Sequence, residues 1–397
     1  MIKSLRKSYN ESFTKERYED FLKALDHEFP GAIEFRVAET PVFIDGDIKV
    51  SMIDCCEHII SIIKSKEFLP KTERAIPKDE KMRNEGEHPH FLAFDFGIAE
   101  HPDGTLYPAL IEMQGFPTLF AYHAYYPQIL EQFFTITADF SHYFNELNTE
   151  KYIALLKKVI LGNHKPEEVI LLEIKPHEQK TRIDFYCTEK YLGIKSVCLT
   201  DLIEEGHKLY YLVNGKKIQI KRIYNRVIAD ELNNRKEELG TTIDFSKNHD
   251  VEWVTHPHWF YRISKFTLPY LHHACIPETK FLNEVDILPN DLENYVLKPL
   301  FSFAGQGVII DVTKKDIDGV KDPENWILQK KVKYAACINT PTGPAKVEIR
   351  LMYIWEDGAE HPILVTNLAR LSKGKMIGVR YNADKDWVGG SVAYFKK

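Results

Sequence analysis

One stretch limits the possible folds more than any other: YVLKPLFSFAGQGVIIDV, residues 295–312. Apolar residues around Lys298 read as a strand. A loop of small residues follows, with Ser302, Ala304, Gly305, Gln306 and Gly307, and then a second apolar strand. Glycines let backbone N–H groups turn toward an anion, and a lysine adds a point charge. Strand–loop–strand is not the strand–loop–helix of a P-loop, and no GxxxxGK[ST] occurs. Taken alone, the segment reads equally as an anion cradle or as a hairpin with a glycine-rich turn.

The surroundings favour the cradle. Upstream, YRISKFTLPYLHHACIPETKFL places Lys265 at the start of a helix that ends before Ile276-Pro277. Downstream, WILQKKV is a strand carrying Gln329, Lys330, Lys331 and Val332, suited to run along an adenine edge. VEIRLMYIWEDG and PILVTNLARLSKG are two further strands, with Arg350 and Arg370, and the chain runs on through GVRYNADKDWVGGSVAYF.

Near the front, FLAFDFGI and PALIEM read as strands joined by a turn at His101-Pro-Asp-Gly104. Glu112 and Gln114 sit at i and i+2 on the second strand, so both point to one face. A carboxylate and an amide side by side are hard oxygen donors of the kind Mg²⁺ takes. MIDCCEHIISIIKSKEF, before them, reads as a helix, and polar Pro70–Pro89 as a surface loop.

A chain of 397 residues implies two or three packed domains. Three regions separate by pattern. Residues 1–150 run from helical, charged sequence (ERYEDFLKALDHEF) to the carboxylate-bearing strands. Residues 151–255 form an α/β unit: EEVILLEI as a strand, KTRIDFYCTEKYLG as a helix ending at Gly193, SVCLTDL as a strand, and a hairpin turning at Asn214-Gly215. This unit is Rossmann-like in outline, but without GxGxxG a dinucleotide site is not expected. Residues 256–397 hold the glycine loop and the late strands.

The net charge of −6 gives no electrostatic case for nucleic acid. No apolar run approaches the roughly 20 residues needed to cross a bilayer, and MIKSLRKSYNESF lacks the apolar core of a signal peptide. Six cysteines without a CxxC pair fit a reducing cytoplasm and argue against a structural zinc, with Cys55-Cys56 expected to be core packing. The close histidine pairs (His88/His90, His256/His258, His272/His273) lack a spaced third ligand and are expected to be structural or surface residues.

The motif order resembles the ATP-grasp superfamily. A first lysine followed by "iPeT", a "vlKP…s..G.GV" loop, a hinge strand, "eiR", "R", "R.N" and "GG" occur here in the family's order. What the family places after these is a helix, a strand with a metal-binding Asp, and "E-x-N-x-x-P". The matching sequences here are at the front: residues 52–68, Asp95, and Glu112, Gln114 and Pro117. The chain thus resembles a circularly permuted ATP-grasp protein of the glutathionylspermidine synthetase-like group. That group also carries a middle α/β domain and an "iYnR"-like stretch, resembled here by RIYNRVIADEL.

The resemblance implies an α/β ATP-grasp fold with a Rossmann-like middle domain, and ATP and Mg²⁺ as cofactors. It implies a ligase that activates a carboxylate as an acyl phosphate and joins it to an amine on a small molecule or peptide. The nucleotide would be held by Lys265, Lys298, Ser302, Gly305, Gln306, Gly307, Gln329, Lys330 and Val332. The metal would be held by Asp95, Glu112 and Gln114, where the family usually has Asn at the last position. Arg350 and Arg370 would be catalytic, although Arg350 could equally be a strand arginine paired with Glu348 or another acid. Substrate contacts would fall to Arg226, Arg380, Asn382, Gly389 and Gly390, with Arg226 alternatively a salt-bridged hairpin residue. A nucleotide-binding module without ligase activity is the alternative from another class.

Overall fold

The two front strands form a hairpin, Phe91–Glu100 and Leu106–Gln114, but their partners come from the far end of the chain. In a computed structural model of the protein, residues 2–240, 242–301, 307–374, 377, 382 and 384–397 are described. Five antiparallel strands lie in the order Gly389–Ser391, Ile363–Ser372, Lys346–Ile354, Phe91–Glu100 and Leu106–Gln114. Arg350 stands opposite Asp95, a separation of 255 residues. Asp95 in turn stands opposite Glu112, and Ile111 then bulges out of register. Residues directly opposite one another share a face, so one side of this sheet collects Asp95, Glu112, Glu348, Arg350 and Arg370.

The opposite side is apolar. Phe94, Phe96, Ile349 and Leu351 are fully buried there. The helix Gly46–Ile63 belongs to the same core, burying Met52, Cys55, Cys56, Ile59, Ile60 and Ile63 at helical spacing. Asp45 caps its first turn by accepting from the Ile48 N–H at 3.2 Å. Burying one such aliphatic side chain is worth about 1.5–3 kcal/mol. The alternation visible in FLAFDFGI is therefore a contrast between a greasy floor and a charged cleft.

Four parallel strands form a middle sheet in the order Glu252–Val254, Arg222–Asn225, Val169–Glu173 and Lys195–Cys198. The helix Arg182–Leu192 ends at Gly193, whose φ of +78° is the left-handed cap that glycine adopts without a Cβ clash. The hairpin at Asn214-Gly215 joins Lys208–Val213 to Lys216–Ile220. A small antiparallel sheet, ordered Thr279–Phe281, Trp326–Lys330 and Tyr295–Pro299, carries Lys298.

Three expectations need correction. The strand leaving the glycine loop reduces to a single bridge, Ile309 to Leu297. The helix expected from Lys265 is a 3-10 turn, Lys265–Tyr270, with Pro269 inside it, and the chain up to Ile276 is irregular. Pro269 lacks the N–H that a regular helix would need. The expected surface loop Pro70–Pro89 includes helical turns and is pinned inward, because Arg262 donates to Glu85, Glu73, Thr72 and the Leu69 carbonyl.

Candidate functional site

The charged face is assembled by strand register. Arg350 grips Asp95 with two hydrogen bonds, Nε to Oδ1 at 2.5 Å and Nη2 to Oδ2 at 2.6 Å. Arg370 reaches the same Oδ2 at 2.8 Å and also bonds Glu348. Tyr334 donates to the other Glu348 oxygen at 2.9 Å. Its ring lies where Gly97 has no side chain: a Cβ there would come within 2.4 Å of the ring. Gly97 is thus required by the close approach of Tyr334 to the sheet. Tyr334 and Gly97 lie beside these charges although no motif points to them; Glu348, the Glu of "eiR", pairs with Arg370 while Arg350 takes Asp95. For Glu348 the signal was available, since it lies two residues before Arg350 on the same strand face.

The small sheet supplies the lysines. Lys298 donates to Gln329 Oε1 at 2.6 Å, and Gln329 Nε2 donates to Thr279 at 2.9 Å, so the strand pairing orients the ammonium. Lys265 and Ser264 line one cleft with Glu112, Gln114 and Phe301. The electrostatic neighbours of Lys298 are Glu112, Lys265 and Glu348, so this lysine stands among both carboxylates and a second lysine. Lys330 is exposed and bonds through its backbone to Glu278. Val332 lies in the irregular connection that leaves the small sheet, and soon after it the Ala335 N–H bonds Ile98 of the central sheet. Gly307 takes φ +71°, with space for a Cβ only at 3.0 Å from Pro299. Ser302, Gly305, Gln306 and Arg380 lie outside the described residues.

The charges are tuned apart. Burial opposes ionisation of Asp95, yet Arg350 and Arg370 overcome it and hold the carboxyl below its usual range. Burial pushes Glu348 up, with Asp95 adding to it against the pull of Arg370. Two neighbouring carboxylates are thereby driven in opposite directions, a pattern typical of functional sites. Burial lowers Lys298 to about 8. Arg370 keeps 39% of its side chain exposed against 8% for Arg350, so Arg370 is the more solvent-accessible guanidinium.

The remaining assigned residues are held elsewhere. Arg226 is buried, bonded to Asp184 at 2.5 Å and stacked over Phe185. Of its two readings, the salt-bridged one describes its surroundings. Asn382 accepts from Ser372, Lys373 and Gly374, closing the turn after the Ile363–Ser372 strand. Gly389 and Gly390 run against residues 36–38, where a Cβ on Gly389 would lie 2.3 Å from the Arg36 carbonyl. Among the described residues, Glu85, His256 and His258 bring donor atoms within 4.8 Å of one another. Each already has a protein partner: His258 bonds Glu85 and the Met82 N–H, His256 bonds the Arg83 carbonyl, and Arg262 holds the carboxylate. That cluster fastens a loop.

No family model matches the chain, and no curated protein matches it. A solved structure does. The apo form of a glutathione synthetase-like effector (GSS30) from Globodera pallida superposes with a TM-score of 0.58 at 10% identity, covering 97% of this chain and 98% of that one. The fold is glutathione synthetase-like. At this identity the likeness speaks for the fold alone. Among the described residues, no helix is long and apolar enough to cross a membrane.

Proposed function

We propose that this protein is an ATP- and Mg²⁺-dependent carboxylate–amine ligase of the ATP-grasp type, with the metal-bearing strands permuted to the front of the chain. The observation that carries the reading is a cluster of opposite charges: Lys298 has Glu112, Lys265 and Glu348 as charged neighbours, Arg370 has Glu348, Asp95 and Glu112, and Lys265 and Glu112 line one cleft. Its support for permutation is the pairing of the 91–100 strand with the 346–354 strand. The front hairpin completes a sheet that the C-terminal strands begin.

The donor set fits a hard divalent cation through Glu112 and Gln114, half-buried oxygen donors lining the cleft. When bound, Mg²⁺ screens triphosphate charge and favours phosphoryl transfer. Asp95 is engaged by both arginines, and in this reading it positions them, leaving Glu112 and Gln114 to the metal. Lys298 and Lys265 neutralise phosphate oxygens as point charges. Arg370, half-exposed and braced by Asp95 and Glu348, stabilises charge spreading over the transferred phosphoryl and the acyl phosphate. An amine on a small molecule or peptide then displaces phosphate from the activated carboxyl.

The same engagement of Asp95 favours a second reading. With that carboxylate committed to arginines, one carboxylate and one amide remain for a metal. A nucleotide-binding module without ligase activity needs no more. Phosphate release separates the two: the ligase releases phosphate from ATP only when both a carboxylic acid and an amine acceptor are present. A screen of amino acids, polyamines and short peptides in pairs makes that measurement. ATP binding with no acid-plus-amine dependence across the screen would sink the ligase.

A further inference from the structure

A cavity of about 530 Å³ lies apart from the charged cleft and shares no lining residue with it. It sits where the helix Lys3–Ser12, the start of the helix Gly46–Ile63 and the tip of the front hairpin come together. Glu100, the strand residue that lines it, is five positions beyond Asp95, about 17 Å at strand spacing. A space of this size holds a small organic molecule.

Its walls carry charge of both signs. Lys3 and Arg6, at i and i+3, come from one face of their helix. Arg6 keeps only 8% exposure, and its partners among the described residues are all neutral. Its guanidinium bonds Asn10 Oδ1 at 2.7 and 3.1 Å, the Pro41 carbonyl at 3.2 Å and Thr40, and lies 4.6 Å from the centre of the Tyr9 ring. Those four bonds leave one of its five N–H donors, on Nη2, uncommitted. A buried cation with no carboxylate beside it is costly, and burial accordingly brings Arg6 down to about 10. Asp47, in the first turn of the second helix, and Glu100 line the same cavity with the opposite charge. Among the described residues, Lys3, Asp47 and Glu100 have no ion-pair or side-chain hydrogen-bond partner. Opposite charges thus line one space without closing on each other, and Phe43 and Leu106 add apolar surface.

We propose that this cavity binds a small zwitterion, an amino acid or short peptide, with its carboxylate toward Lys3 and Arg6 and its ammonium toward Asp47 and Glu100. A lone anion would satisfy the basic helix and leave the acids unanswered, and a lone cation would do the reverse. A molecule carrying both charges answers both walls, and charge-assisted hydrogen bonds at each end fix its orientation. The apolar surface suits an aliphatic side chain. This site does not depend on whether the cleft belongs to a ligase or to a binding module.

The test titrates the full-length protein by calorimetry, without ATP or Mg²⁺. The probes are leucine and alanyl-leucine, each also with its amine acetylated and with its carboxylate amidated. At least one free form is expected to bind at millimolar concentration or below, and either cap to weaken it by about tenfold or more. Which of the two binds more tightly tells an amino-acid site from a peptide site. Lys3→Ala and Glu100→Gln, two changes that break no bond within the protein, are each expected to weaken binding several-fold at an unchanged melting temperature. Hydrogen exchange in the bound state is expected to slow at residues 2–10 and 100–106. Failure of both free probes to bind, equal binding of capped and free forms, or wild-type affinity in both variants would overturn the site. Protection confined to residues 110–114 would place the probe in the cleft instead and overturn it too.

Discussion

Two buried arginine–aspartate pairs invite comparison. Arg226–Asp184, where the front of the chain meets the middle region, is sealed: neither side chain reaches solvent appreciably, and Asp184 also accepts the Tyr122 N–H at 2.9 Å. Arg350–Asp95 lies as deep, but a third partner, Arg370, is half-exposed and has Glu348 and Glu112 as further charged neighbours. The chemistry of the contact is the same in both places. What differs is whether the charge is used up. In the sealed pair the ions answer each other away from solvent, with Glu173 as a further buried neighbour of Arg226, so the pair fixes how two elements dock. In the open group the ions balance only collectively, and Arg370 keeps part of its side chain exposed. Burial of an ion pair therefore says little about function until its outlet is found.

The sharpest way to break this comparison is to remove one arginine from each group. Arg370→Ala is expected to lower turnover by about 10²–10³, the usual cost of losing one donor aimed at transition-state charge, with a smaller stability loss than Arg226→Met because Arg350 and Tyr334 still partner Asp95 and Glu348. Arg226→Met leaves Asp184 buried without its counter-ion and is expected to cost about 3–5 kcal/mol of stability, with the turnover of the folded fraction preserved. Paired denaturant melts and steady-state kinetics check both. If Arg370→Ala unfolds the protein while Arg226→Met destroys activity in a folded one, the roles are exchanged.

Glu112→Gln tests the neighbour that the arginines do not claim. It keeps shape and removes one charge, and turnover is expected to fall by about 10² or more while nucleotide affinity changes far less. Lys298→Ala is expected to weaken nucleotide binding by about 10- to 100-fold, the cost of a lost charge-assisted contact, with an unchanged circular dichroism spectrum. Titration calorimetry with ATP and Mg²⁺ measures both. Normal turnover in Glu112→Gln would leave its strand a purely structural one.

How much of this was legible beforehand depends on the range of the interaction. FLAFDFGI and VEIRLMYI are legible as strands because charged residues interrupt apolar ones with period two, a local property, even though both faces of each strand are buried. The cap at Gly193 and the turn at Asn214-Gly215 are local too. That Asp95 would stand opposite Arg350 is not local, and motif order in a resembling family, not periodicity, brought those two ends of the chain together. Side-chain partners were least legible. Asp95 has the residue type and strand position of a metal carboxylate, and only the tertiary structure sets two guanidiniums on it. Tyr334 could not be placed from sequence, because its position over Gly97 depends on how the connection from the small sheet crosses the central one. The 3-10 turn after Lys265 was readable from Pro269, had the proline been weighed above the apolar spacing.

The smallest effect, and the one most specific to the open group, is a pH dependence. Burial lowers Lys298 to about 8 in the folded protein, below the usual lysine value of about 10.4. Between those two values the unfolded chain binds more protons than the native one, so this lysine makes stability rise with pH across that window. Nucleotide binding runs the other way. Phosphate needs the ammonium, so ATP affinity should be flat below about pH 7.5 and fall above about 8, by no more than tenfold per pH unit. Lys298→Arg keeps its charge at every accessible pH, and its affinity, whatever its absolute level, should stay flat to pH 9. Since the charged neighbours of Arg226 are Asp184, Tyr224 and Glu173, a wild-type slope that vanishes in Lys298→Arg would assign the titration to Lys298. An identical slope in wild type and variant would place it elsewhere and remove Lys298 from phosphate contact.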